Sequence, residues 1–110
     1  MLKARFTPQA IDDLEGIKRY ISEDLSNPRA AADLIALVFE KNRTLVSKPQ
    51  IGARLQTGIP LLKTYRLIQC DNYLVFYRVE VKNISVIRIL YAKRDYLRLL
   101  ELDKNEDKDG

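Results

Sequence analysis

Histidine and tryptophan are absent from these 110 residues, cysteine and methionine occur once each, and glycine and proline number four apiece. Without histidine, the side chain that most often moves protons near neutral pH is missing, and Ser-His and Cys-His nucleophile pairs cannot be assembled. A lone cysteine, Cys70, excludes an internal disulfide and leaves no soft ligand set for zinc. The carboxylates are scattered along the chain, with no compact Asp/Glu constellation of the kind that holds Mg²⁺, so no metal and no cofactor is expected. No apolar run approaches the roughly 20 residues that cross a bilayer, and Met1-Leu2-Lys3 leads into strand-like sequence rather than a secretory apolar segment. A cytoplasmic location without membrane contact is the resulting expectation.

What is present is a 46% apolar chain whose length suits one domain, expected over residues 1–100, with a disordered charged tail over 101–110. The few prolines and glycines punctuate it. Leu2, Ala4 and Phe6 alternate with Lys3 and Arg5, which reads as a short first strand. Thr7-Pro8 supplies a helix cap and a first-turn proline, and Ala10, Ile11, Leu14, Ile17, Ile21 and Leu25 then recur at spacings of three and four. That pattern predicts one amphipathic helix from Pro8 to about Asp24. Asn27-Pro28 opens a second helix, carrying Ala31, Leu34, Ile35, Val38 and Leu45 inward and stopping by Ser47, ahead of Pro49. Pro49, Gly52, Gly58 and Pro60 mark residues 48–60 as a connecting loop, with Arg54 exposed.

From Tyr65 to Tyr96 the chain is dense in Val, Ile, Leu, Tyr and Phe, broken only at Asp71-Asn72 and Lys82-Asn83, the signal of a three-stranded antiparallel meander. The fold expected is therefore α+β: a short N-terminal strand, a long αα-hairpin packed on an antiparallel sheet, and a C-terminal basic-aromatic segment. Cys70, Tyr20 and Tyr91 read as ordinary core or half-buried residues. A two-residue loop at Asp71-Asn72 sets Arg66 opposite Tyr77, and a three-residue loop sets it opposite Arg78; the sequence allows both.

Arginines interrupt all three strands, at Arg66, Arg78 and Arg88, and each has to reach a sheet edge, a carboxylate, solvent or a ligand. Residues 1–100 hold 17 basic against 10 acidic groups, a net +7, while the last ten residues stand at −3. Such a field favours a polyanion or an acidic protein partner. Arginine, lysine and tyrosine around a sheet can clamp phosphates and stack on bases. They can also cleave RNA, if a lysine or tyrosine takes the 2′-OH proton while arginines neutralise the phosphate. Lys93-Arg94-Asp95-Tyr96, just past the last strand, is the natural centre for this chemistry. The competing reading pairs Asp95 with Arg94 or Arg98 and leaves Tyr96 and Leu97 to cap the core.

The order strand, helical hairpin, loop, meander, together with NYLVFYRV, VIRIL and AKRDY, resembles the RelE/ParE toxin superfamily of bacterial type II toxin–antitoxin systems over Leu2 to about Leu100. The resemblance implies a cognate antitoxin whose C-terminal segment wraps the toxin's basic surface. For RelE-like members it implies ribosome-dependent cleavage of mRNA. Arg66 then matches the strand arginine of the YR pair, Arg94 the arginine after the last strand, and Tyr96 the C-terminal tyrosine, making these three the catalytic candidates. Arg78, Arg88, Lys93 and Lys63 are the candidate RNA- and phosphate-binding residues. Leu74 stands where a third-strand arginine is expected, with Arg78 on the same face as its substitute. ParE-like members poison DNA gyrase instead and need no nuclease groups, an alternative that suits Leu74. The basic excess and Tyr96 favour the ribonuclease, and a third possibility is an inactive module that keeps only the antitoxin contact.

Overall fold

The computed structural model of the protein describes residues 2–101. The charged tail expected at 101–110 lies outside this range but for its first residue.

β1 (Lys3–Phe6) ends where Thr7 stops it: the Thr7 N–H donates to the Val86 carbonyl at 3.0 Å and its hydroxyl to the Ile87 carbonyl at 2.9 Å. The same hydroxyl accepts the Ala10 N–H at 3.2 Å and so caps α1 (Pro8–Arg19), whose first-turn proline needs no amide. The single helix expected to Asp24 is interrupted. Beyond Arg19 it widens into a π turn, Tyr20–Asp24, and that extra residue per turn rotates the apolar stripe out of phase. Leu25, past that turn, is 54% exposed instead of facing the core, and Tyr20, at its start and on the flank of the stripe, is 50% exposed. Ser26, with φ of 51°, reverses the chain, and the Asn27 side chain accepts the Ala30 N–H at 3.1 Å to cap α2 (Pro28–Ser47). Ala31, Leu34, Val38 and Leu45 are buried as expected.

The connecting segment is more ordered than a loop. It contains a two-residue strand, β2 (Ala53–Arg54), and leads into a 3₁₀ turn at Pro60–Thr64. The strands β3 (Arg66–Cys70), β4 (Tyr73–Val79) and β5 (Asn83–Tyr91) form the antiparallel meander. The sheet order is β1-β5-β4-β3-β2, with β1 parallel to β5 at one edge. At the first hairpin the loop is the two-residue one: Cys70 pairs with Tyr73 and Arg66 with Tyr77, and Asp71 takes a left-handed φ of 57° that aspartate tolerates.

A bulge between β4 and β5 shifts the register, so that Phe76 pairs with Arg88 but Tyr77 with Val86. The extra residue lets Val86 and Ile89, three apart, both turn toward the helices, and Ile87 and Leu90 both turn the other way. The sheet thus has two apolar faces. Ile68, Cys70, Val75, Val86 and Ile89 meet Ala10, Leu34 and Val38 on the helical side, with Tyr77, Leu45 and Ile84 continuing that layer. Leu67, Leu74, Phe76, Ile87 and Leu90 meet Leu55, Leu62, Leu97 and Leu100 on the other. The second face is closed by helical residues 96–101, an element the sequence pattern did not separate from its basic-aromatic tail.

Candidate functional site

The three strand arginines all find partners within the protein. Arg66 lies on the helical side of β3 and donates from Nη1 to the carbonyls of Gly52, at 2.8 Å, and Gln50, at 3.3 Å. Tyr77, its cross-strand neighbour, works on the same loop: its hydroxyl accepts the Gly52 N–H and donates to the Pro49 carbonyl, both at 2.9 Å. Burial pushes the Tyr77 hydroxyl above its usual pKa, against the lowering effect of the Gly52 N–H and the Arg66 charge. Gly52 is required there, because a Cβ would stand 2.5 Å from the Tyr77 hydroxyl and 2.7 Å from the Leu67 carbonyl. Together Arg66 and Tyr77 staple the loop after α2 to the sheet.

Arg88 makes a two-point contact with Asp13 of α1, Nε to Oδ2 at 2.7 Å and Nη2 to Oδ1 at 3.0 Å, and both side chains are only 14% exposed. The same carboxylate accepts the Ile89 N–H at 2.9 Å. β1 ends opposite Val86, so beyond that point β5 has no strand on the β1 side, and Asp13 takes the place of one. Arg78, on the face away from the helical hairpin, contacts Glu80 at 3.4 Å, and the Ser85 hydroxyl donates to the other Glu80 oxygen. The Ser85 hydrogen bond, partly opposed by desolvation and helped by the Arg78 charge, holds the Glu80 carboxyl below its usual pKa.

The residues proposed for catalysis are not drawn together. Arg66 is tied to loop carbonyls on the helical side of the sheet. Tyr96 packs on the opposite face, its ring 5.3 Å from that of Phe76 and tilted by 43°. Arg94 is exposed at the end of β5 and lines a cleft between α1, the π turn and the β3–β4 turn. Lys63 and Lys93 are exposed, and Leu74 belongs to the apolar cluster under residues 96–101. No Asp95 ion pair with Arg94 or Arg98 forms among the described residues. Cys70 is fully buried, and burial raises its thiol pKa, so it supplies no thiolate.

The cleft at Arg94 encloses about 880 Å³. Tyr73 and Tyr91 meet edge to face on its sheet wall, with centroids 5.8 Å apart, while Tyr20 and Leu25 stand half exposed on its helical wall. Burial raises the Tyr73 hydroxyl pKa, so its phenolate form is less available. Exposed tyrosines and leucine beside an arginine suit protein recognition better than proton transfer. Tyr20 and Tyr91 read as ordinary packing residues in the sequence; Tyr20, on the flank of the helical stripe, and Tyr91, at the strand end, are instead exposed. Among the described residues no three His, Cys, Asp or Glu side chains group to hold a metal ion, and no helix is long and apolar enough to cross a membrane.

The N-terminal strand, helical hairpin and antiparallel sheet agree with the RelE/ParE-like fold, as comparison with solved toxin structures shows. The chain matches over 82–84% of its length the chromosomal ParDE system of P. aeruginosa (TM-score 0.69, 22% identity, 98% of that chain), the RelBE2 toxin–antitoxin complex of Mycobacterium tuberculosis (0.57, 20%, 96%) and a YoeB/ParE toxin of Agrobacterium tumefaciens (0.59, 16%, 98%). A sequence comparison with curated proteins gives no match. The family model of the ParE toxin of type II toxin–antitoxin systems, parDE, matches residues 4–96, and the chain belongs to that family.

Proposed function

We propose that this toxin acts in the ParE-like manner, arresting growth by binding DNA gyrase rather than by cutting mRNA, and that a cognate antitoxin neutralises it. The observation that carries this reading is the separation of the groups a nuclease needs. Arg66 is committed to Gly52 and Gln50, Tyr96 packs at a tilt on Phe76 on the other face of the sheet, and Arg94 lies in the cleft beside α1. A phosphodiester undergoing cleavage needs its base and its charge-neutralising groups within hydrogen-bond reach of one phosphate. Leu74 supports the same conclusion, since it is half-buried in an apolar cluster and offers no charge. The match to the ParE family adds to it. The working surface is then the tyrosine-lined cleft with Arg94, a protein-binding surface.

The basic excess and the exposed pair Lys93-Arg94 favour ribosome-dependent cleavage as the second reading. The two are separated by expressing the chain under tight control, mapping mRNA 5′ ends across the transcriptome, and assaying gyrase supercoiling with the purified protein. Blocked supercoiling with intact mRNA is expected. New cuts within translated codons and untouched supercoiling would overturn the proposal, and unharmed growth would reduce the chain to an antitoxin-binding module.

A further inference from the structure

In a chain whose first 100 residues carry 17 basic against 10 acidic groups, the cleft at Arg94 is charged the other way. Asp12 and Asp71 line it against the single cation Arg94, because Asp13 is already neutralised by Arg88. No ion pair among the described residues joins Arg94 to either carboxylate, so both keep their charge for a visitor. The groove beside β1 has the opposite balance, Lys3 and Arg43 against Glu15. Three tyrosines converge on the acidic cleft. Tyr73, 9% exposed, forms its floor, the ring of Tyr91 meets it edge to face at 5.8 Å, and Tyr20 stands on the helical wall at the start of the π turn. Burial is the first cause of the raised Tyr73 pKa, and Tyr20, Tyr91 and Asp71 add to it in that order, which sets all three around the Tyr73 hydroxyl. Surroundings that disfavour a phenolate by charge favour a cation, and the face of a tyrosine ring attracts one.

We infer that this cleft is a receptor for an arginine side chain of the protein on which the toxin acts. The guanidinium lies against the rings of Tyr20, Tyr73 and Tyr91 and is held by the Asp71 carboxylate, with Asp12 on the α1 side. Arginine fits better than lysine, because its planar, weakly hydrated head stacks on a ring and bonds a carboxylate with two donors at once. Its methylene stem crosses the apolar wall made by Ile17 and Ile21. Arg94, at the end of β5, takes a carbonyl or carboxylate of the same segment, so the cleft reads a basic residue flanked by an acceptor. A phosphate or an acidic side chain meets two carboxylates there instead. A second copy of this chain, which exposes arginines of its own, is the competing occupant.

Placing that arginine on gyrase rests on the reading above, so binding and inhibition are measured separately. N-acetylarginine methylamide and its norleucine and glutamate counterparts are titrated into the full chain, with the ring resonances of Tyr20, Tyr73 and Tyr91 as the readout. The arginine probe should shift them saturably, and the other two should not. Asp71→Asn keeps the left-handed turn, which asparagine tolerates, and together with Asp12→Asn removes the acidic charge. Tyr20→Leu removes one ring at an exposed position. The aspartate pair and Tyr20→Leu should each weaken capture of the arginine probe, and inhibition of supercoiling, at least about tenfold at unchanged thermal stability. Tyr20→Phe, which keeps the ring, should lose less than Tyr20→Leu. If wild type inhibits gyrase and the aspartate pair inhibits equally well, the docking site is wrong and the gyrase reading stands. If wild type leaves supercoiling untouched, that reading fails and the probes decide alone. Capture of arginine that depends on Asp71 would then establish the cation receptor, and no shift, or stronger binding of glutamate, would overturn it. A dimer of the free chain that dissociates with Asp71→Asn would give the cleft to a second copy and overturn its assignment to a target protein.

Discussion

Replacing Asp13 with alanine removes three hydrogen bonds at once, two from Arg88 at 2.7 and 3.0 Å and one from the Ile89 N–H at 2.9 Å. It leaves a guanidinium in a site where it is 14% exposed. Breaking a buried ion pair from one side costs about 3–5 kcal/mol, and the residual solvent access of this pair argues for the lower end, about 3 kcal/mol. An unfolding entropy of about 2.1 cal/mol/K per residue makes that a fall in Tm of roughly 13 °C for a chain of this length. Asp13→Asn keeps an acceptor for the Ile89 N–H and should lose about half as much. The pair Asp13→Leu with Arg88→Met removes both charges and should be less destabilised than the sum of the two single changes. Differential scanning calorimetry or urea titration followed by circular dichroism measures all of these. A folded Asp13→Ala protein within about 1 kcal/mol of wild type would refute the reasoning, as would strict additivity in the double variant.

Three further outcomes are expected. Tyr77→Phe leaves the Gly52 N–H and the Pro49 carbonyl without their shared partner and should cost about 1–3 kcal/mol by urea titration, with faster hydrogen exchange at Gly52; unchanged exchange there would show that Arg66 alone holds the loop. Glu80 has a folded pKa below its unfolded one, so its contribution is present above the unfolded value of about 4.3 and is lost as pH falls through the folded value. The Tm gap between wild type and Glu80→Gln should therefore be small at neutral pH and shrink as pH falls below the unfolded value, and a gap that widens on acidification would reverse the assignment. Arg94→Ala, at an exposed position, should keep its Tm within about 2 °C and lose gyrase inhibition and toxicity; full toxicity from the folded variant would remove Arg94 from the working surface.

Much of the fold was legible because its signals are local. Thr7-Pro8 and Asn27-Pro28 start helices by capping chemistry that acts within three residues, and both caps form as read. The meander followed from alternation and from its polar breaks. The features that escaped are those set by partners far along the chain. β2 is two residues long and exists because β3 pairs with it. The π turn breaks a spacing that looks unbroken through Leu25, since the sequence of a helix does not record where one extra residue is accommodated. The Asp71 register, open in the sequence, is decided by an aspartate adopting a left-handed conformation and by Tyr77 reaching Gly52. For the site, the need of each strand arginine for a partner was legible and the partner was not: Asp13 lies 75 residues from Arg88, and nothing near either marks the other.

The destinations of those arginines limit what the sheet can do. A basic residue on a strand raises the local potential wherever it lies, but it serves a phosphate only if its donors are free when the phosphate arrives. Arg66 spends Nη1 on two carbonyls, Arg88 is closed around Asp13, and Arg78 shares Glu80 with Ser85. Withdrawing any of these from its partner costs about 1–3 kcal/mol per orphaned group, which an RNA contact would have to return before contributing any affinity. Lys3, Arg5, Lys18, Arg19, Arg29, Arg43, Lys48, Arg54, Lys63, Lys82, Lys93, Arg94 and Arg98, all exposed, carry the accessible positive charge, and they are spread over β1, both helices, the loops and turns, β2 and the segment past β5. Charge spread this widely over the surface steers and orients a protein partner more readily than it builds a reaction centre. That distribution supports the proposal that the toxin acts by binding.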